Sequence, residues 1–168
     1  MQSINAPYSA INCLPRFRNP LRLVLSAAVL LLLPTIAIPC LAEPTFTGSW
    51  YLDLRTPEQQ AAQAECGGAG FDLIQQGDTV HGTHYLATVN CGKLNDGGEV
   101  RGTVTGSEAV LFVTSGRTGE VVKGKATLVG DTLRWQVLET VKVGEPEWEP
   151  GLVLRSGVLG RREGAVAR

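Results

Sequence analysis

From Phe46 onward the chain alternates apolar and polar positions in short runs. Between Phe46 and Leu54, Phe46, Gly48, Trp50, Leu52 and Leu54 share one side, and Thr47, Ser49, Tyr51 and Asp53 share the other. That period of two is the signature of a half-buried strand, with Trp50 on the core side. The pattern recurs over 71–76, 79–89, 99–105, 109–115, 120–129, 132–143 and 152–160, giving eight predicted strands. Glycine-rich breaks such as Gly77-Asp78, Gly106-Ser107 and Gly130-Asp131 separate them and are short enough for hairpins. Pro44, Pro57, Pro146 and Pro150 all fall outside the predicted strands, where a missing N–H donor costs no ladder hydrogen bond.

Between the first two strands, Thr56-Pro57-Glu58-Gln59 reads as a helix start. Thr56 is the N-cap, Pro57 the first helical residue, and Gln59 the partner in a capping box. Alanine-rich sequence carries the predicted helix to Glu65, where Cys66 and Gly67-Gly68 stop it. The helix is expected to plug one end of the barrel, with a lid as the alternative. The fold class that follows is all-β: an eight-stranded antiparallel up-and-down meander barrel with one short helix near the barrel end. Closing the sheet removes both of its edges.

Parity assigns the interior. Trp50, Leu52 and Leu54; Val80, Gly82, His84 and Leu86; Val100, Gly102 and Val104; Val122, Gly124, Ala126 and Leu128; and Leu133, Trp135 and Val137 face inward. Gly48, Gly82, Gly102 and Gly124 make room for the tryptophans, let the strands bend, or leave a cavity. The strand at 109–115 is apolar on both faces, Leu111 and Val113 on one and Val110 and Phe112 on the other, which suggests a covered outer side.

Composition divides the chain. Residues 1–42 hold Arg16, Arg18 and Arg22 but no acid, then an apolar run from Leu23 to Ile38 and Cys40-Leu41-Ala42, the order of a secretory signal cleaved after Ala42. Two other readings stand: lipoprotein processing at Cys40, which Pro39 opposes, and retention of residues 23–42 as a membrane anchor. A barrel domain at 43–160 and a flexible tail at 161–168 complete the division. Without the leader, 12 Lys or Arg stand against 16 Asp or Glu, a net charge of −4 with no basic stripe, so nucleic acid is not an expected partner. Export places Cys66 and Cys91 in an oxidising compartment, where such a pair closes into a disulfide.

Candidate chemistry is sparse. His81 and His84 point to opposite faces of one strand and do not share a metal. No G-x-S-x-G elbow is present, and no glycine loop opens a helix to cradle phosphate. No catalytic residue, metal or cofactor is therefore expected, and His84 is expected to be a buried histidine satisfied by a backbone carbonyl. Trp50, His84, Trp135 and Trp148 are the candidate ligand-binding residues. Trp148 stands among three acids and two prolines in Gly144–Gly151, a stiff loop expected to fold over the open barrel end, with contact to a partner as the alternative.

Gly48-Ser49-Trp50 at the head of the meander resembles the G-x-W opening of the calycins, the lipocalins and avidins. Phe46 to Leu54 is similar to the avidin first strand, Gly82-Thr83-His84 to a Gly-Thr-Tyr run, and Leu152 to Ser156 to the last strand. Leu152 replaces that strand's tryptophan, His84 replaces the tyrosine, and Leu52 stands where the polar biotin contact would be, so no biotin pocket is implied. The order Gly48-Ser49-Trp50-Tyr51-Leu52, then Cys66 and Cys91, also resembles bacterial secreted metalloprotease inhibitors, eight-stranded barrels with one disulfide. Those insert an N-terminal trunk into the protease, and only Glu43 to Thr45 would precede the barrel here. The calycin resemblance implies the fold; inward tryptophans beside inward glycines, with no catalytic set, point to an exported, non-enzymatic barrel that binds a small apolar ligand or a protein, with a protease inhibitor or structural interaction protein as the alternative.

Overall fold

The computed structural model describes residues 44–162, and the predicted signal segment lies outside them. Eight antiparallel strands close in sequence order into one barrel. They are β1 (Gly48–Asp53), β2 (Cys66–Gln76), β3 (Thr79–Val89), β4 (Leu94–Thr105), β5 (Glu108–Thr114), β6 (Val121–Val129), β7 (Thr132–Lys142) and β8 (Ser156–Arg162), with helix α1 (Pro57–Ala61) between β1 and β2. The seam is the short pairing of β1 with β8, Ser49 to Tyr51 against Gly160 to Arg162.

Several boundaries differ from those the pattern predicts, each for a local reason. Helix α1 has the predicted capping box, with the Gln59 amide donating to the Thr56 hydroxyl and the Thr56 amide donating to the Gln59 side chain. It stops at Ala61 instead of Glu65 and buries no residue, so it neither plugs nor lids the barrel. An apolar stripe is what holds a short helix against a core, and its Pro-Glu-Gln-Gln-Ala sequence offers none. Gly67-Gly68 does not stop a helix; it lies inside β2, which begins at Cys66. Leu54, predicted inward, is exposed because β1 ends at Asp53, whose carboxylate binds the Arg55 backbone N–H and guanidinium and turns the chain. The last strand begins at Ser156, not Leu152, and runs through Arg162; the rest of the predicted tail lies outside the described residues.

The remaining inward residues sit as parity places them. Trp50, Phe71, His84, Val100, Leu111, Val113, Val122, Ala126, Leu133 and Leu159 are fully buried, and Leu52, Val104 and Val137 pack partly buried against them. Gly124 shows how the interior fits together: a Cβ there would collide with the distal ring of Trp135, whose cross-strand partner Ala126 is also small. A large indole on one strand is matched by small residues on the next, which is how a narrow barrel reaches the density of a packed interior.

Both ends are closed. Phe46 is fully buried below β1, its backbone carbonyl accepting the Trp50 indole N–H at 2.9 Å, and the Arg161 guanidinium lies 4.2 Å from the Trp50 ring centroid. At the other end, Val153 and Leu154 enter the core from the segment that precedes β8. At the same end the Cys66–Cys91 disulfide, predicted from export, joins the start of β2 to the turn after β3.

A 25-residue separation between these cysteines makes the disulfide worth about 3.5 kcal/mol by chain entropy. Replacing both with serine is therefore expected to lower unfolding free energy in urea by about 3 kcal/mol, with an unchanged circular dichroism spectrum of the native state. A loss under about 1 kcal/mol would mean that the unfolded chain is not constrained as this model supposes.

Candidate functional site

Four of the buried polar side chains, His84, Asn95, Ser115 and Glu120, converge with Trp135 on one short stretch of backbone, Gly151 to Arg155. Each is delivered by a different strand or by the residues flanking one. His84 on β3 has no exposed surface, and its Nε2 accepts the Leu154 N–H at 3.2 Å. Trp135 on β7 donates its indole N–H to the Leu154 carbonyl at 2.7 Å, so both backbone groups of Leu154 are held from inside the barrel. Asn95 on β4 donates to the Leu152 carbonyl at 3.1 Å and accepts the Gly116 N–H at 3.0 Å. Ser115, just beyond β5, donates its hydroxyl to the Gly151 carbonyl at 2.6 Å. Glu120, just before β6, is nearly buried and pairs with Arg155 at 2.6 Å.

This clasp explains why the last predicted strand begins late. Leu152 takes a left-handed φ of +51° and the following backbone bonds inward to side chains, not sideways to a neighbouring strand. The Arg155 carbonyl, accepting the Val137 N–H, is the first group to join β7.

His84 departs from its expected pairing. It accepts a backbone N–H where it was expected to donate to a backbone carbonyl. Because Nε2 is the acceptor, the neutral ring carries its proton on Nδ1, and Nδ1 has no hydrogen-bond partner among the described residues. Its neighbours are apolar: the Phe71 ring stands edge-on at 4.9 Å, and Phe71 in turn meets Trp135 at 5.3 Å. Burial without a compensating carboxylate pushes the imidazole down from its ordinary 6.5 to about 4.

The clasp also fixes the loop before it. The Glu149 carboxylate takes hydrogen bonds from Lys93 at 3.2 Å and from Arg117 at 2.7 Å and 3.1 Å, which hold it below the usual carboxylate range. The Glu145 N–H donates to the Thr118 carbonyl at 2.9 Å. Gly144 and Gly151 press against Thr118 and Glu120 so closely that a Cβ on either would overlap them. Between these fastenings Trp148 projects with 81% of its surface exposed. It does not fold over the barrel end as expected; Val153 and Leu154 already fill that space.

The four residues singled out from the sequence are therefore divided. Trp50 and His84 lie in one cross-strand row through Phe71, and Trp135 touches the same phenylalanine, all within the buried core. Trp148 stands outside. His81, on the opposite face of β3 from His84, is exposed, and among the described residues no group of three or more histidine, cysteine or acidic side chains is arranged to hold a metal.

Three clasp residues were not singled out. Ser115 and Glu120 were legible, since they share parity with Val113 and Val122. Asn95 was not: β4 bulges at Asp96-Gly97 opposite Tyr85, which adds a residue and turns Asn95 inward against the parity of Val100.

The His84 shift fixes a pH dependence. Between pH 6.5 and about 4 the unfolded chain binds a proton at His84 that the folded chain does not, so stability falls as pH falls through that window. The contribution is fully present above pH 6.5 and amounts to on the order of 3 kcal/mol. Urea unfolding at stepped pH is expected to show a shallower slope over this window for His84→Gln, whose carbonyl can still accept the Leu154 N–H; parallel slopes for the two proteins would contradict it. Compared with known proteins, the chain matches no protein family and no curated sequence.

Proposed function

We propose that this chain is an exported, non-enzymatic barrel that binds a protein partner through the loop bearing Trp148. The observation that carries the reading is that loop's combination of stiffness and exposure. An indole exposed to water is unfavourable unless something covers it in use, and tryptophan is among the commonest anchors of protein interfaces. Prolines at 146 and 150 and the bonds from Glu145, Glu149 and Gly151 to the barrel hold the loop in one shape, so docking loses little chain entropy.

The filled interior favours this reading over a small apolar ligand held inside. Trp50, Phe71, His84, Trp135 and Leu154 occupy the space where a lipocalin-like cavity would lie. The calycin-like fold is supported by the closed eight-stranded meander and by the G-x-W opening, and export by the Cys66–Cys91 disulfide, which requires oxidising surroundings. Among the described residues no helix is long and apolar enough to cross a membrane.

A photo-crosslinking amino acid in place of Trp148, in the cells that make the protein, tests the reading. One discrete adduct is expected, suppressed by excess wild-type protein but not by Trp148→Ala protein, and absent with the crosslinker at Thr127. Equal suppression by both competitors, or no adduct at position 148, would overturn it.

A further inference from the structure

On the outer face of β1, β2 and β3 lies a groove of about 320 Å³, lined by Tyr51, Arg55, Gly68, Tyr85 and Arg162 among others. Its floor is glycine. A Cβ on Gly68 would stand 2.5 Å from the Tyr51 hydroxyl, and one on Gly70 the same distance from the Tyr85 hydroxyl, so the two phenol tips occupy space that side chains of β2 would otherwise fill. That covering is why a Gly-Gly-Ala-Gly run persists as strand.

The polar lining is one-sided. Two phenols and two guanidinium groups line the groove, all of them hydrogen-bond donors, and no carboxylate does. Burial raises the Tyr85 phenol above its ordinary value against the opposing charge of Arg162, which keeps it an O–H donor. Arg55 is already matched by Asp53 at 2.6 Å, and Asp72, in the neighbouring cross-strand row, accepts the Ser49 hydroxyl. Arg162 is different. Its guanidinium stacks 3.8 Å from the Tyr51 ring centroid, and among the described residues it makes neither an ion pair nor a hydrogen bond. Stacking holds the planar fork in place while leaving its donor edge open, the arrangement in which arginine binds an oxyanion two oxygens at a time.

We propose that this groove binds a small ligand through a phosphate or carboxylate group, with Arg162 gripping the oxyanion, the Tyr51 and Tyr85 hydroxyls completing its hydrogen bonds, and the Tyr85 ring supporting an apolar body. The site is independent of the Trp148 loop. Lying on the outside of the sheet, it requires no opening of the core.

The test is a titration of the isotopically labelled full chain with phenyl phosphate, benzoate and inorganic phosphate, followed by the NMR signals of the tyrosine rings and arginine side chains. Saturable shifts at Tyr51, Tyr85 and Arg162 are expected for at least one of the two aromatic probes, and which of them binds distinguishes phosphate from carboxylate. Binding is expected to weaken about tenfold in Arg162→Gln, in part in Arg162→Lys and not in Arg134→Gln, in keeping with the loss of one charge-assisted pair. No saturable shift up to about 10 mM, shifts confined to other residues, or equal losses in Arg162→Gln and Arg134→Gln would overturn the proposal.

Discussion

The structure depends on one backbone segment being held from within. Leu154 carries its amide to His84 and its carbonyl to Trp135, and both partners stand in the barrel core. In water those backbone groups would bond solvent, and inside an apolar barrel each would cost about 1–3 kcal/mol if left alone. The two interior side chains remove that cost, and only then can the Val153 and Leu154 side chains be buried at the barrel end. Asn95 and Ser115 do the same for Leu152 and Gly151. Without such partners an extended segment would not leave the sheet ladder at this point. Its natural course would be to begin β8 four residues early and leave the end open.

Size matching governs the rest of the packing on both faces of the sheet. Inside, Gly124 and Ala126 yield to Trp135. Outside, Gly68 and Gly70 yield to Tyr51 and Tyr85. Glycine in a strand is unfavourable by about 0.5–1 kcal/mol relative to alanine, a cost that burying an aromatic ring against it offsets. The same substitution logic thus yields a dense interior in one place and a donor-lined groove in the other, the difference being which face of β1, β3 or β7 carries the ring.

Fold class, strand number and order, the capping box and the disulfide were legible because each rests on local signals: period-two alternation, hairpin glycines, a Thr-Pro-Glu-Gln start and two cysteines. Errors arose where a distant residue reversed a local preference. Gly67-Gly68 resembles a helix stop until it is seen within a strand whose Gly68 and Gly70 are covered by tyrosines from the two flanking strands. Leu152 to Arg155 resembles the start of a strand until His84, 70 positions earlier, captures Leu154. Asn95 was concealed by a bulge that parity cannot register. Among the candidate site residues, the two inward tryptophans and His84 were placed correctly on the core side, but nothing in their spacing says whether a barrel core is hollow. That depends on Val153 and Leu154, whose entry into it is a tertiary event.

A histidine at position 84 is an unusual choice for a fully buried place without a carboxylate nearby. A phenylalanine would fill the same volume beside Phe71 and Trp135 and would leave no unpartnered Nδ1–H, yet it would also leave the Leu154 amide without an acceptor. Histidine's use here is therefore directional. An apolar core packs many arrangements of an incoming segment about equally well, whereas one acceptor and one donor, fixed on facing walls of the barrel, admit a single register of Leu154 between them. Fixing that register also fixes Gly151, the last residue of the Trp148 loop, only three positions upstream. The interior of this barrel consequently acts less as a container than as a mount: its polar contacts determine where an exposed indole stands at the rim.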